Sequence, residues 1–596
     1  MGMQGLMSGA HRVITSDTIL DEVERHLRVV AGPGAGKTHW LVSHIRNVLA
    51  KSQRLTSVSR VVCISYTNVA ADEIRTRLRD AANRVEVTTI HSYLYRFVVK
   101  PYIWLAKDHE GICPVEFRLL QGHDELRPSY KKTETWFSKV RTKRNAYLST
   151  AIEQLGDTLV RHMIWRVVGQ DCQLALRRGA SVDVGGKKNI SFPAEQLYEY
   201  KRLYWRDGEI DHDDVLYFSF VLLRDYPYLR QILSTKFPFI FVDEFQDTSP
   251  IQTAILKWLA ESGSVVGVIG DPAQSIFGFQ GASPEDFVTF SLPGMMDLII
   301  EGNRRSTERI VRYLNHLRAD LVQHSVRGEE GSPVTVIVGG KSADAVDWAR
   351  SNGLLCDPYA ILAWTNSEVA AIRSNTGCTD TDIWNDFRAC DRDREQFLHR
   401  IVGAAELAVH HRYDEAFRTL SRLFPVGKPL RDPLKGLIRT KSESRAITLA
   451  ILEYLVTQYS ALVGESCYEL YSTGLPKILG QFQLGLKGLS TTGRCGHFMR
   501  QTSLGDLMNG LIMSEEERIV RTIHKAKGAE FTSVIVCLKS EDTMRYLLER
   551  GQSEGHRLYY VAVSRARDFL LVHTPTLTAD GRAALERMGV QVVDLA

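Results

Sequence analysis

The chain has 596 residues, of which 44% are hydrophobic and 24% are charged, and its formal net charge is +4 at pH 7. This length predicts several domains with the composition of a globular protein, and the small net charge excludes a histone-like polycation. Nine scattered cysteines without a C-x-x-C pair argue against a zinc ribbon or an iron–sulfur cluster and indicate reduced thiols. No run of 18 apolar residues is present, so we expect no membrane contact and a cytoplasmic protein.

Residues 27–38 have the pattern of a phosphate-binding loop. Apolar residues 27–31 predict a buried strand, Lys37 opens the predicted helix, and the turn between them contains Gly32, Gly34 and Gly36. Glycine lets backbone N–H groups approach phosphate closely, and a helix N-terminus adds partial positive charge. We expect Lys37 to contact the β- and γ-phosphates of ATP and the Thr38 hydroxyl to hold Mg²⁺. The strict motif has glycine where Ala31 stands, so an accidental glycine turn is the alternative.

The following segments repeat the order strand, turn and helix. Residues 60–65 predict a strand that ends at Tyr66, a helix is expected over 70–78, and a short strand from Val85 precedes His91. This repeat predicts a parallel sheet of the α/β class. Tyr66 follows the carboxyl end of a strand, where open α/β sheets bind ligands, although a core aromatic is the alternative. A lone histidine such as His91 is typical of a helix start.

Residues 100–202 show no alternation typical of strands and predict a helical insertion. Basic residues interleave with aromatic residues between positions 130 and 144, a composition suited to binding a nucleic-acid backbone. A solvated helix face is the alternative for this patch.

An acidic pair follows an apolar run in the next part of the chain. Residues 237–242 predict a central strand, and Asp243 and Glu244 come directly after it. Charged side chains at the end of a buried strand are costly unless they have a function. We therefore expect Asp243 to hold Mg²⁺ and Glu244 to accept a proton from the attacking water, with a helix cap as the alternative. Gln274 follows the predicted strand 265–269 and is placed to sense the γ-phosphate.

A second set of strands is predicted downstream, over residues 334–338, 359–364, 518–523, 534–537 and 569–573. Helices are expected from residue 306 and over 557–567, and the stretch from about 381 to 514 predicts a helical insertion. Neither insertion shows a metal-nuclease signature, and few residues follow the last strand. We therefore expect that the chain by itself does not cut DNA.

Ten segments resemble the motifs of superfamily 1 DNA helicases of the UvrD/Rep/PcrA type. In chain order they read AGPGAGKT, SYTNVAADEIRTRL, TIHSYLYRF, IDHDDVL, VDEFQD, GDPAQSIFGFQGA, EGNRRSTERIV, AILAWTN, TIHKAKGAEF and RLYYVAVSRAR. They extend from about residue 29 to residue 570, and VDEFQD together with the last two segments is highly specific. The resemblance implies two RecA-like P-loop domains with parallel sheets, each carrying a mainly helical insertion.

The resemblance also implies a role for each matching residue. The ATP site of the first RecA-like domain would contain Lys37, Thr38, Asp243, Glu244 and Gln274. The second domain would supply Glu530 near the nucleotide sugar and two arginine fingers, Arg305 and Arg565, because a planar cation can stabilise charge on the transferring phosphoryl group. The positions that would touch single-stranded DNA are Tyr66, His91, Phe279 and His524.

Three positions depart from the family pattern. The family usually has a glutamine that reads adenine upstream of the phosphate loop, and residues 11–28 contain none. Arg304 stands where a tyrosine often stacks on adenine, although an arginine plane can also stack. Phe279 and Gln280 replace a common Trp-Arg pair in a DNA-contacting motif. These changes put adenine selectivity and the grip on DNA in doubt.

The resemblance implies a division into six segments. The first RecA-like domain would comprise residues 1–99 and 203–297 around the insertion 100–202, and the second would comprise 298–380 and 515–596 around the accessory insertion 381–514. We expect an ATP-dependent DNA helicase or translocase that acts on single-stranded or tailed DNA and, by family, moves 3′→5′.

A function of a different class is the alternative to a processive helicase. Lone UvrD-like chains of this size also resemble the helicase subunit of Gabija-type anti-phage systems, which pair with an OLD-type ATPase/nuclease. In that case the chain would be a DNA-gated ATPase sensor that licenses the partner nuclease without processive unwinding.

Overall fold

A computed structural model describes residues 11–108, 111–120, 122–123, 125–140, 149–177, 192–278, 281, 284–376, 383–409, 413–427, 430, 432–490, 493–512 and 519–595. The chain separates into two compact units. The first unit comprises Met1–Trp364 and Ala526–Ala596, and the second unit comprises Thr365–Lys525. None of the helices in the described ranges has the length and apolar character needed to span a membrane.

The strands of the described residues are numbered in chain order. They are β1 Arg12–Ile14, β2 Leu27–Ala31, β3 Val61–Ser65, β4 Val85–Thr89, β5 Met163–Val168, β6 Asp171–Leu176, β7 Phe239–Val242, β8 Val265–Gly270, β9 Met296–Ile300, β10 Gly302–Asn303, β11 His324–Ser325, β12 Thr335–Val338, β13 Tyr359–Ala363, β14 Leu434–Lys435, β15 Gly485–Leu486, β16 Val520–Thr522, β17 Phe531–Cys537, β18 Ala566–Thr574 and β19 Gln591–Asp594.

Seven strands of the first unit form a parallel sheet in the order β1-β9-β2-β8-β7-β3-β4. Alternate residues of β7 enter two apolar clusters, with Phe239 and Phe241 in one and Ile240 and Val242 in the other. A strand covered on both faces must be apolar throughout, which explains its unbroken apolar sequence. Since neighbouring strands run in parallel, the segments that follow β2, β7, β8 and β3 all leave the same edge of the sheet.

Five further strands of the first unit pair in parallel in the order β13-β17-β18-β12-β19. We call the part of the unit that carries β1 to β9 the first RecA-like domain, and the part that carries β10 to β13 and β17 to β19 the second. Two parallel sheets within an α/β chain confirm the predicted fold class.

The helices of the first unit connect and cover these sheets. Its α-helices are Lys37–Lys51, Asn68–Leu78, Ile90–Leu94, Lys100–Tyr102, Tyr130–Val140, Ser149–His162, Ala194–Trp205, His212–Asp225, Pro227–Lys236, Pro250–Glu261, Pro284–Thr289, Glu308–Leu317, Ser342–Ser351, Arg545–Leu548, Glu554–Val563 and Ala579–Arg587. A π-helical turn spans Tyr95–Val99, and 3₁₀ turns span Arg79–Arg84, Ile103–Leu105, Phe117–Leu119, Phe245–Asp247, Pro272–Gln274 and Glu541–Thr543.

One expectation about this unit is incomplete, and another is wrong. The segment expected to be helical over 100–202 contains an antiparallel hairpin, β5 with β6, in which Trp165 lies opposite Leu174. Both of these side chains are buried in the core, so a strand pattern is present where none was recognised. The helix expected over 557–567 ends at Val563, because the chain enters β18 three residues later.

The second unit is mainly helical, as expected for the segment 381–514. Its α-helices are Asn366–Thr376, Ile383–Cys390, Arg392–Val409, Tyr413–Ser421, Lys441–Thr457, Tyr459–Leu462, Cys467–Glu469, Leu475–Gly480, Arg494–Gln501 and Leu504–Ile512, with a π-helical turn at Leu470–Gly474. A short antiparallel pair, β14 with β15, joins Leu434 to Leu486. The buried Arg394 donates to the Gly488 carbonyl at 2.8 Å and contacts Asp391, which ties this pair to the helical core.

Candidate nucleotide site

The phosphate loop follows β2 with the backbone shape that its glycines permit. Gly34 and Gly36 have φ angles of 68° and 80°, which glycine adopts without the strain that a Cβ introduces. Gly36 is the N-terminal cap of the helix Lys37–Lys51, and the Lys37 Nζ donates to the Ala31 carbonyl at 3.2 Å. A lysine ammonium group that lies over the phosphate loop suits an anionic phosphate ligand, so these residues fit the triphosphate of ATP.

Asp243 and Glu244 leave β7 at the same edge of the sheet. The Glu244 N–H donates to Asp243 Oδ1 at 3.0 Å, and Asp243 is buried. Glu244 has a φ angle of 54°, a left-handed conformation that costs a non-glycine residue about 1 kcal/mol or more. Such strain is concentrated at functional sites because the surrounding structure has to hold it in place.

The charges around these two carboxyl groups set their protonation in opposite directions. Burial, followed by the neighbouring Glu244, raises the pKa of Asp243 to about 7. Burial also disfavours the charge on Glu244, but Lys37 and then Lys527 hold its pKa at about 2. Glu244 is therefore ionised at neutral pH. The positive charge near Asp243 does not offset the effect of burial on its pKa. With the Thr38 hydroxyl on the adjacent loop, Asp243 offers the hard oxygen ligands that Mg²⁺ prefers.

Gln274 lies beyond β8 in a network of buried polar side chains. Its Nε2 donates to Asp271 Oδ2 at 2.7 Å, and its Oε1 accepts from Arg565 Nη2 at 2.9 Å. Gln246, two residues after Glu244, accepts from the Asp271 N–H at 3.0 Å and contacts the Glu244 carboxylate. The predicted γ-phosphate sensor is thus connected to both the acidic pair and an arginine of the second RecA-like domain.

The two predicted arginine fingers lie side by side in the second RecA-like domain. Arg565 occupies the turn between the helix Glu554–Val563 and β18, and its Nε donates to the Val561 carbonyl at 3.0 Å. Burial and then Arg305 lower the pKa of Arg565 to about 9, which still leaves it charged at neutral pH. Arg305 donates from Nε to Glu530 Oε2 at 2.9 Å and from Nη1 to the Ser564 carbonyl at 3.0 Å.

Residues that follow β9 cover the phosphate loop, a contact that no sequence motif predicted. The Asn303 Nδ2 and the Gln323 Nε2 both donate to the Pro33 carbonyl, at 3.0 Å and 3.2 Å. The Arg304 N–H donates to the Gly34 carbonyl at 2.8 Å. Three donors of the second domain therefore contact the carbonyl groups of two consecutive loop residues, Pro33 and Gly34. Gln323 lies outside the segments that resemble helicase motifs, so no sequence signal identified it.

Arg304 is engaged by polar residues of the first domain. Its Nε donates to Ser16 Oγ at 2.7 Å, its Nη2 contacts the Asp17 carboxylate, and Asp17 Oδ1 lies 3.1 Å from His39 Nε2. Ser16 also lies next to Gly36, where an added Cβ would approach the serine Cβ to 3.0 Å. Arg304 thus pairs with an acidic side chain at the position where the family often has a tyrosine ring.

Tyr66, one of the four expected DNA contacts, packs against another aromatic side chain. It stacks on Phe277 with ring centroids 4.8 Å apart and an interplanar angle of 22°. The Lys527 Nζ lies 4.8 Å from the Phe277 ring centroid, donates to the Gln274 carbonyl at 2.8 Å and contacts Asp247. Lys527 was not singled out from the sequence, although it stands in the TIHKAKGAEF segment.

The other three expected DNA contacts are His91, His524 and Phe279. His91 packs against His212 with ring centroids 5.4 Å apart, and burial followed by His212 and His123 lowers the pKa of His91 to about 3. His524 lies in the second unit, in the turn His524–Ala526. Phe279 falls outside the described residues.

Comparisons with known proteins find two helicase domain models that match this chain. The model of the UvrD/REP helicase N-terminal domain matches residues 15–292, and that of the UvrD-like helicase C-terminal domain matches residues 475–575. These ranges contain the phosphate loop, the acidic pair, Gln274 and Arg565.

Similar curated proteins include helicases and one Gabija protein. DNA helicase II of Haemophilus influenzae is 25% identical over 629 residues, which cover 91% of this chain and 81% of that protein. The Gabija protein GajB of Bacillus cereus is 25% identical over 332 residues, covering 49% of this chain and 47% of GajB. The ATP-dependent DNA helicase srs2 of Schizosaccharomyces pombe is 30% identical over 304 residues, covering 48% of this chain and 32% of srs2. The match thus spans about half of GajB and a third of srs2. The two domain models and these relatives place the chain in the UvrD/Rep helicase family.

Proposed function

We propose that this chain is an ATP-dependent DNA helicase or translocase that couples ATP hydrolysis to 3′→5′ movement on single-stranded DNA. The observation that carries the proposal is the hydrogen bond from Arg565 Nη2 to Gln274 Oε1, 2.9 Å long, which joins the two RecA-like domains beside the acidic pair. An arginine that reaches a γ-phosphate sensor across a cleft is the arrangement by which closure of two domains promotes hydrolysis.

The residues of the first domain have different roles in ATP hydrolysis. The phosphate loop binds the triphosphate through backbone N–H groups and Lys37. Thr38 and Asp243 would hold Mg²⁺, which would supply positive charge to the phosphate oxygens. Lys37 and Lys527 lower the pKa of Glu244 and keep it ionised, and Glu244 accepts the proton of the attacking water.

The second domain supplies the cations. Arg565 is fixed by the Val561 carbonyl of the preceding helix, and Arg305 is fixed by Glu530 and the Ser564 carbonyl. Both guanidinium groups stabilise charge on the transferring phosphoryl group only while the two domains are close together. Closure therefore favours hydrolysis, and loss of the γ-phosphate removes a contact that holds the domains together.

The stacked pair of Tyr66 and Phe277 suits a DNA base. Single-stranded DNA binds proteins by stacking on aromatic side chains and by contacts of its phosphates with cations, and neither depends strongly on sequence. Lys527 touches both Phe277 and the carbonyl of Gln274, so the aromatic pair and the nucleotide site share a residue. Contacts of His91, Phe279 and His524 with DNA remain predictions.

The test uses the purified chain with ATP and Mg²⁺. We expect ATP hydrolysis that rises on addition of single-stranded DNA, and displacement of the labelled strand from a 3′-tailed duplex in preference to a 5′-tailed or blunt duplex. The Lys37→Ala variant serves as the control for a contaminating activity. Hydrolysis that is indifferent to DNA would contradict the proposal, and preference for the 5′-tailed duplex would reverse the polarity.

A second candidate function is a DNA-gated ATPase sensor that licenses a partner nuclease in phage defence. The similarity to the Gabija protein GajB favours it. The partner that the resemblance implies is an OLD-type ATPase/nuclease. This chain would then hydrolyse ATP on tailed DNA but displace little or no strand alone, and adding the partner would produce ATP-dependent cleavage. Efficient unwinding by the isolated chain would favour the helicase instead.

A further inference from the structure

Arg318 is a buried arginine that the nucleotide site described above does not use. It is the first residue after the helix Glu308–Leu317, and its side chain is 4% exposed. Its Nη1 lies 3.1 Å from both carboxylate oxygens of Asp271, a residue of the first RecA-like domain. On its other side, Nε and Nη2 donate to Asp320 at 3.0 Å and 2.7 Å.

The partner of Arg318 across the cleft decides how Gln274 is oriented. The Asp271 carboxylate accepts from the Ala273 N–H at 3.1 Å and from Gln274 Nε2 at 2.7 Å. A side-chain amide has one donating end and one accepting end. With its NH₂ group held by Asp271, Gln274 must present its oxygen in the other direction, where it accepts from Arg565 Nη2 at 2.9 Å.

Arg318 also contacts the helix that leads to Arg565. Its Nη1 lies 3.2 Å from the Tyr560 hydroxyl, and its guanidinium carbon lies 5.4 Å from the centre of the Tyr560 ring. Tyr560 belongs to the helix Glu554–Val563, which ends two residues before Arg565. One guanidinium group thus touches the carboxylate that orients Gln274 and the helix that carries Arg565.

The burial of these charges makes the arrangement sensitive to the loss of one partner. Asp271 is fully buried, and Arg318 is the cation that the structure places against its carboxylate. A buried carboxylate that loses its cation is strongly destabilised and seeks new donors or a proton. The amide of Gln274, whose NH₂ group shares that carboxylate, would then lose its fixed orientation.

We propose that Arg318 is a positioning residue for ATP hydrolysis, holding Asp271 so that Gln274 and Arg565 meet in register when the domains close. The proposal rests on the ATPase function proposed above. It goes beyond that function because it assigns a role to a residue outside the segments that resemble the helicase motifs. The proposed role is alignment only, exerted through the contact of Arg318 with Asp271.

The experiment compares Arg318→Met and Arg318→Lys with the wild-type chain in steady-state ATP hydrolysis on a single-stranded oligonucleotide. We expect Arg318→Met to lower kcat by about 10- to 100-fold, the cost of misplacing a reacting group by about 1 Å, with KM for ATP changed by less than about threefold. Arg318→Lys keeps the charge but lacks the planar guanidinium group with its several N–H donors. Its kcat should therefore lie between those of the wild type and Arg318→Met. Arg309→Met, which removes an exposed arginine from the same helix, is the matched control and should retain wild-type kcat.

A double-mutant cycle separates positioning from a merely structural role. In a Gln274→Ala background, Arg318→Met should lower kcat by less than about threefold, since the residue that it positions is absent. All assays are run below the lowest melting temperature among the variants. If Arg318→Met does not fold, Arg318→Lys replaces it in the double-mutant cycle. Wild-type kcat in both Arg318 variants, or an undiminished loss in the Gln274→Ala background, would overturn the proposal. Absence of hydrolysis in the wild-type chain would instead overturn the proposed function.

Discussion

The two sides of the proposed nucleotide cleft carry mainly opposite charges and are built in different ways. The first RecA-like domain contributes an acidic wall, consisting of Asp243, Glu244, Asp247 and Asp271. The second contributes a basic wall, consisting of Arg305, Arg318, Lys527 and Arg565. Pairs join the walls directly, since Arg318 lies 3.1 Å from Asp271 and Lys527 contacts Asp247.

The acidic wall consists of short side chains, and the basic wall consists of long ones. Asp243 and Asp271 each come directly after a buried strand, so backbone hydrogen bonds of the sheet hold them in place. Arg305 and Arg565 stand in turns of the second domain and reach the cleft with long side chains. We infer that the acidic wall keeps its geometry throughout the cycle, whereas the contribution of the basic wall depends on how close the two domains are.

The largest expected effects are on the side of the acidic wall and phosphate loop. Lys37→Ala and Glu244→Gln should each lower DNA-stimulated ATP turnover by about 10³-fold or more, because one removes a phosphate contact and the other removes the proton acceptor. Glu244→Gln should still bind nucleotide, measured with a fluorescent ATP analogue. Lys51→Ala, at the far end of the same helix as Lys37, is the control. Near-normal turnover in either variant would contradict the assignment.

The basic wall should be equally important for turnover but not for binding. Arg565→Ala and Arg305→Ala should each lower turnover by about 10³-fold if they act as fingers, while affinity for single-stranded DNA changes little. Turnover and DNA binding by fluorescence anisotropy are measured on the same preparations. The exposed Arg312 provides a control substitution, Arg312→Ala. Loss of DNA affinity together with normal turnover would mean that these arginines bind DNA.

A smaller effect tests the contact between the phosphate loop and the second domain. At Gly34 a Cβ would lie 2.6 Å from Asn303 Oδ1 in a backbone conformation with φ +68°, so Gly34→Ala should weaken ATP binding by about tenfold or more. At Gly32 a Cβ would lie 2.5 Å from the flexible Gln323 side chain, so Gly32→Ala should cost less.

The same pair of glycines offers a rescue experiment. Adding Gln323→Ala to Gly32→Ala removes the atoms that the new Cβ would meet, and we expect nucleotide affinity to recover in titrations with an ATP analogue. Gly34→Ala should gain nothing from Gln323→Ala. Equal behaviour of the two glycine variants would argue against the close approach of the second domain to this loop.

The smallest expected effect concerns the packing behind the acidic wall. His44 lies on the helix Lys37–Lys51, stacks on Trp40 with ring centroids 4.9 Å apart, and is buried without a hydrogen-bond partner for either ring nitrogen. Burial lowers the pKa of His44 to about 4 from its ordinary value of 6.5. A depressed histidine pKa means that the unfolded chain binds the proton more readily, so stability falls as pH drops below about 6.5.

The His44→Phe variant isolates that contribution. Between pH 7.5 and pH 5.5, wild type should lose about 1.3 kcal/mol of unfolding free energy that the variant retains, because 1.36 kcal/mol corresponds to one pKa unit. Urea unfolding at the two pH values measures the difference. The same pH dependence in both proteins would show that His44 is not buried as a neutral ring.

The sequence by itself determined most of the acidic wall and the phosphate loop. Strand β2 lies at Leu27–Ala31 as predicted, and Asp243 follows a strand whose end was placed correctly. The reason is local: an apolar run that becomes glycine-rich or acidic changes character at the end of a buried strand, and parallel strands bring such ends to one edge. The predicted roles of these residues in catalysis stay predictions.

Only the tertiary structure decided which side chains meet. Arg565 and Gln274 are 291 positions apart, and the contact of Gln323 with Pro33 spans 290 positions, so no local pattern can reveal either pair. The hairpin of β5 and β6 was missed because a single hairpin inside a helical region has a weak periodic signal. Arg318 illustrates the difference most clearly. Its sequence context is that of an ordinary helix end, and only the packing of two domains buries its charge against Asp271, since burial depends on the whole fold.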